Sequence, residues 1–165
     1  MPESWQGQQV LLHVGSAASN LKVWVNGKYV GYSEDSKIAA EFDLTKYVKK
    51  GKNLIAMQVM RWCDGSYLED QDFWRFTGIA REVYLYARPK VHIEDIVVGQ
   101  DWKDGNGLLD VNVKAPKGTT VDVRLEDAEG NVVGTGAQQT IASVKAWSAE
   151  TPYLYNLYLN LKTGA

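Results

Sequence analysis

The chain has 165 residues, of which 45% are apolar and 23% charged, a composition that belongs to soluble globular proteins able to bury a core rather than to disordered tails. Its formal charge is -2, and Lys and Arg are interspersed with Asp and Glu, so nothing favours nucleic acid or an anionic membrane as a partner. No run approaches the roughly 20 apolar residues of a membrane span, and a single cysteine, Cys63, excludes an internal disulfide and is expected as a small buried apolar side chain.

The opening residues Met1-Pro2-Glu3-Ser4-Trp5 show neither the basic region nor the apolar stretch of a signal peptide. From there period-two alternation dominates and predicts an all-β chain. Val10 to Val14 reads as a strand. Leu21 to Val25, Asn26-Gly27 and Lys28 to Tyr32 read as a hairpin, because Asn-Gly supplies the two positive-φ residues of a type I′ turn. Glu41 to Leu44 is a short strand, Thr45 to Val48 a helical turn, and Lys50-Gly51-Lys52-Asn53 a turn into the strand Leu54 to Arg61. The stretch from Cys63 to Gly78 lacks alternation and is expected to be an ordered surface loop, where binding groups tend to sit. Arg81 to Ala87 resumes the strand pattern until Arg88-Pro89-Lys90 interrupts it. That interruption divides the chain into residues 1–88 and 89–165. In the second part, strands near Val91 to Val98, Leu108 to Lys114, Val121 to Glu126, Val132 to Gly136, Thr140 to Val144 and Tyr153 to Leu161 have the spacing of a small immunoglobulin-like sandwich.

Candidate chemistry concentrates in the loop. Asp64, Glu69, Asp70 and Asp72 place four carboxylates within nine residues, and such mutual repulsion requires cations, hydrogen-bond donors or solvent. Arg61, Arg75 and Arg81 offer a purely structural answer by pairing with these acids. The spacing does not fit a calcium EF-hand loop. One short loop also rarely supplies both carboxyls of a retaining glycosidase, about 5–5.5 Å apart across one bond. His13 and His92 fall in strands of different domains, against a nucleophile–histidine arrangement. No phosphate-cradling loop, zinc spacing or dinucleotide fingerprint occurs. Six Trp and nine Tyr against three Phe suit sugar faces as well as sheet cores.

The run Arg61-Trp62-Cys63-Asp64-Gly65-Ser66-Tyr67-Leu68-Glu69-Asp70-Gln71-Asp72-Phe73-Trp74-Arg75, with Gly78-Ile79 and Arg81, closely resembles the signature of β-galactosidases of glycoside hydrolase family two. Val23-Trp24-Val25-Asn26-Gly27, Val30-Gly31-Tyr32, Ala40-Glu41-Phe42-Asp43-Leu44, Trp147-Ser148-Ala149-Glu150, Pro152 and Leu154-Tyr155 extend the likeness in order. The resemblance implies a sugar-binding jelly roll, then an immunoglobulin-like domain, then a TIM barrel carrying both catalytic glutamates. It implies that residue 1 falls inside the jelly roll, after its first strands, and that residue 165 falls before the barrel. Asp72 matches the aspartate that touches the galactosyl hydroxyls and ligates sodium. Asp64 matches a ligand of a structural magnesium, and Glu34 falls where some relatives use glutamine.

The expected function is therefore that of a non-catalytic fragment of a retaining β-galactosidase, contributing part of its sugar and cation site, with Mg2+ and Na+ held weakly by the fragment alone. The alternative is a free-standing carbohydrate-binding module. A half-built jelly roll leaves a sheet edge and a core face uncovered, which invites homo-oligomerisation. Stability is expected to come mainly from the second domain or from that association.

Overall fold

Asn26 and Gly27 take φ of 51° and 80°, and the hairpin they close is the centre of the first half of the chain. In a computed structural model describing residues 1–68, 74 and 76–164, the chain divides into two units, Met1–Lys90 and Val91–Ala165. The first contains strands β1 (Gln9–Val14), β2 (Ala17–Ala18), β3 (Asn20–Val25), β4 (Lys28–Ser33), β5 (Ala40–Asp43), β6 (Ile55–Met60), β7 (Gly78–Ile79) and β8 (Val83–Arg88), with a single helical turn, α1 (Gly65–Leu68). Two antiparallel sheets, ordered β5-β1-β8 and β4-β3-β6, carry its core. Alternation explains why. Leu12 and Val14 on β1 and Leu21, Val23 and Val25 on β3 project to the interior, where they meet Ala17, Phe42 and Leu44.

The Asn26 side chain ties this hairpin to the next loop. Its amide donates to the Tyr47 carbonyl (3.0 Å) and to Asn53 Oδ1 (2.9 Å), and its own Oδ1 accepts from the Leu54 N–H (3.1 Å). The expected helical turn is present as Val48 N–H bonding back to the Leu44 carbonyl at 3.1 Å.

The second unit is a six-stranded immunoglobulin-like sandwich: β9 (Asp95–Lys103), β10 (Asn106–Lys114), β11 (Thr119–Glu126), β12 (Val132–Thr135), β13 (Gln138–Ile141) and β14 (Asn156–Thr163). Its sheets are ordered β13-β10-β9 and β12-β11-β14. Its first strand differs from the sequence expectation. Residues 91–94 lie outside the strand, and β9 runs on past Val98 to pair Lys103 with Asn106. Gly99 and the polar Gln100-Asp101 hide this extension from a propensity reading, but Asp104-Gly105, at φ of 52° and 81°, makes a second two-residue turn that fixes nine residue pairs.

Burial bears on the expectation that stability comes mainly from the second domain or from association. Among the described residues, ten apolar residues are buried in the first unit and three, Val111, Val123 and Leu125, in the second. Each fully buried aliphatic side chain is worth about 1.5–3 kcal/mol, so the first unit holds the larger share of the apolar stabilisation.

Candidate functional site

In the sheet β4-β3-β6, β3 runs antiparallel to both neighbours. β4 and β6 are therefore parallel to each other and leave the sheet at the same end, where Ser33 pairs with Leu21 and Met60 with Asn20. This geometry brings the residue following β4, Glu34, beside Cys63 and Asp64, which follow β6. One ligand-type atom from each of the three lies within 4.8 Å of the others.

Buried polar groups hold both approaches. Asn20, almost inaccessible, accepts from the Met60 N–H at 3.2 Å, and the buried Ser19 hydroxyl donates to the Met60 and Arg61 carbonyls at 3.1 and 3.0 Å. Two oxygens lie beside the Cys63 thiol: the Ser19 carbonyl, 3.8 Å away, and Ser66 Oγ, 3.6 Å away. On the other strand, Asp35 Oδ1 accepts from the N–H groups of Lys37 and Ile38, both at 2.8 Å, closing a turn directly after Glu34. The N–H groups of Ile38 and Lys37 hold the Asp35 carboxyl below its usual range.

Hydrogen bonding dominates the electrostatics of Glu34. Cys63, Asp64 and Tyr32 share hydrogen bonds with its carboxylate, and these, with the Gly65 N–H at 3.4 Å, pull it down to about 2 against desolvation. Desolvation first, then the hydrogen bond to Glu34 and the nearby negative charge, push the Tyr32 phenol up to about 12. Two carboxylates in this proximity repel unless hydrogen-bond donors or a cation offset their charge. The pair fits a hard divalent ion, which prefers oxygen donors. A thiol is a soft donor and lies outside that preference.

Of the residues singled out from sequence, Glu34 and Asp64 are thus brought together, while Asp72 lies outside the described residues, as do Glu69, Asp70 and Arg75. Cys63 departs from its expected role: it is half-buried and faces two carboxylates instead of packing in the core. Its position next to Asp64 was the sequence signal for this. Ser19 and Asn20 carried no signal, because their role depends on which strands flank β3. Arg61 stacks over Trp62 at 5.1 Å and Arg81 donates to the Lys37 carbonyl at 3.0 Å. His13 sits on β1, stacked on Tyr84 at 4.5 Å with Nδ1 3.1 Å from Glu41, far in sequence from the acidic loop.

Residues 1–89 match the family profile described as the sugar binding domain of glycosyl hydrolases family 2, and residues 91–165 match a second profile of glycosyl hydrolases family 2. The chain belongs to glycosyl hydrolase family 2. Among curated family 2 relatives, a β-galactosidase of Priestia megaterium is 41% identical over 98% of this chain and 18% of its own length. One from Clostridium acetobutylicum is 39% identical over 96% of this chain and 20% of its own length. This chain therefore spans about a fifth of these relatives. Among solved structures, a β-glucuronidase from an uncultured Clostridium sp. superposes with a TM-score of 0.85 at 25% identity, over 98% of this chain and 31% of that one. A Ruminococcus gnavus β-glucuronidase gives 0.87 at 22% identity over 99% of this chain and 31% of that one, a likeness of fold. The jelly-roll and immunoglobulin-like order of this family 2 chain agrees with both profile matches.

Proposed function

We propose that this chain supplies the sugar-binding wall of a retaining β-galactosidase whose bond-breaking glutamates come from a barrel outside residues 1–165. The identity to β-galactosidases along 98% of the chain carries this reading. The convergence of Glu34 and Asp64 supports it, because these carboxylates are suited to hold a magnesium-type ion that braces the acidic loop from behind. That loop then presents Asp72 to the galactosyl hydroxyls and to a sodium ion. The work of these residues is to orient the sugar and to order the loop, which lowers the entropic cost of reaching the reactive geometry.

In the intact enzyme, Asp72→Ala is expected to lower galactoside turnover and abolish the response to sodium, measured by steady-state kinetics across sodium concentrations. Unchanged activity and sodium response would refute the assignment. The isolated chain is expected to hydrolyse no galactoside, and turnover by it alone would defeat the division of labour. Calorimetry addresses the binding-module alternative, which requires binding heat from galactose or lactose at millimolar concentration. Self-association belongs to the same fragment reading: Ile96 and Val98 face the interior beside Val111, yet each is 45% exposed. Sedimentation velocity across a concentration series checks it, with a concentration-independent monomer as the contrary result.

A further inference from the structure

We infer that the outer face of the sheet β12-β11-β14, in the second unit, carries a groove that binds a neutral saccharide. The groove arises from a step in the sheet. β11 pairs with β14 along its whole length, Thr119 to Glu126, but with β12 only from Arg124 to Glu126. At Gly136 the chain turns away, with φ of 95° and its N–H bonded to the Val123 carbonyl at 2.9 Å. Beyond that point Asp122 has a neighbour on β14, Asn160, and none on β12. A space of about 620 Å³ opens there, within the range of about 300–1,000 Å³ that ligand sites occupy. The position a Cβ would take at Gly136 is open, so no side chain narrows the step.

Alternation sets the lining. Val123 is buried in the core, so Asp122 and Arg124 on either side of it point outward, together with Asn160 and Tyr158 opposite them on β14 and Thr135 on β12. Tyr158 is 45% exposed. The Arg124 guanidinium lies 4.9 Å from its ring centroid and is fixed there by an ion pair from Nε to Glu126 Oε1 at 2.8 Å. Asp122 is likewise paired with Lys162. Two cations are thus matched by two carboxylates, and nothing in the groove draws in a phosphate, a nucleotide or a charged peptide. The side chains of Asn160 and Thr135 have no hydrogen-bond partner among the described residues. A fitting ligand is therefore uncharged, lays an apolar face on an aromatic ring and brings hydroxyls to an amide and a hydroxyl at its rim. A pyranose meets all three demands, whereas a lipid meets only the second. Membership in a glycosyl hydrolase family favours saccharide among neutral polar ligands. The lining side chains stand on paired strands, and Arg124 is already held, so little ordering remains to be done on binding.

Binding heat alone does not say which unit takes the sugar, so the experiment reads it residue by residue. The 165-residue chain, labelled with nitrogen-15, is titrated with lactose and with cellobiose into the millimolar range while its amide resonances are followed. The expected result is saturable shifts at residues 121–124, 135–136 and 158–160, unchanged in Asp72→Ala. Tyr158→Ala should weaken binding about tenfold through the lost aromatic contact, Asn160→Ala about fivefold through one hydrogen bond, and Tyr158→Phe, which keeps the ring, less than about twofold. The positions of the remaining amide signals verify that each variant is folded. Absence of shifts with both disaccharides overturns the inference, as does equal binding in Tyr158→Ala and Asn160→Ala. Shifts confined to the first unit and lost in Asp72→Ala overturn the groove and leave the acidic-loop reading standing. Equal or stronger shifts in the groove with inorganic phosphate overturn the neutral-ligand assignment.

Discussion

The two units are built from the same two elements, antiparallel sheets and two-residue turns, yet they bury their inner faces to different degrees. In the first, Leu21, Val23 and Val25 on the central strand β3 are fully inaccessible, and Phe42 and Leu44 close over them. In the second, the corresponding central strands contribute Val111, Val123 and Leu125, while inward-facing Ile96 and Val98 on the edge strand β9 remain open. Pairing a strand satisfies its backbone, but only a second covered face removes its apolar side chains from water. The comparison therefore separates hydrogen-bonded order, which both units have, from apolar stabilisation, which is concentrated in residues 1–90.

The largest expected effect breaks the better core. Leu21→Ala, at a fully buried position, should cost about 2–5 kcal/mol. Leu125→Ala, at 8% exposure in the unit with fewer buried apolar residues, should fall at or below the lower end of that range. Denaturation followed by circular dichroism, with the two units resolved as separate transitions, measures both; equal losses would remove the asymmetry.

Next come the two turns. Asn26→Ala loses a residue suited to positive φ, at about 1–2 kcal/mol, together with three hydrogen bonds to Tyr47, Asn53 and Leu54, each worth about 1 kcal/mol. Asp104→Ala places the same conformational demand on the second hairpin and should cost only the first of these amounts. Amide exchange in β3–β4 and in β9–β10 distinguishes the cases, and a larger effect at Asp104 would contradict the account.

The smallest effects are in the acid limb. Partial burial raises Asp43, but hydrogen bonds from Gln9 and Thr45 and the charge of Arg88 outweigh it and leave the carboxyl depressed. Hydrogen bonds from Asn131 and the Glu129 N–H depress Asp127. A carboxyl with a lowered folded pKa contributes stability that is complete above its unfolded value, 3.8 for both residues, and is lost as pH falls through the lower folded value. Asp43→Asn should flatten the acid dependence of the first unit's transition, and Asp127→Asn that of the second. Unaltered slopes below pH about 4 would exclude these groups as the source.

Much of this architecture was legible because it is local. Asn26-Gly27 specifies a turn by φ alone, and alternation along β1 and β3 specifies which face is apolar. The Asp104-Gly105 turn was equally available, although the polar residues before it masked the strand it closes. What the sequence suggested about Glu34 and Asp64 came from resemblance, since nothing in their spacing of thirty positions brings two carboxylates together.

The amino-acid order by itself determined the all-β character, the principal hairpin and the acidic segment, because each follows from preferences acting over a few residues. Only the tertiary structure decided that β4 and β6 flank β3, leave the sheet at one end and deliver Glu34 to Cys63 and Asp64. Strand order is set by which faces bury most apolar surface together, and that is a property of side chains distant in the chain.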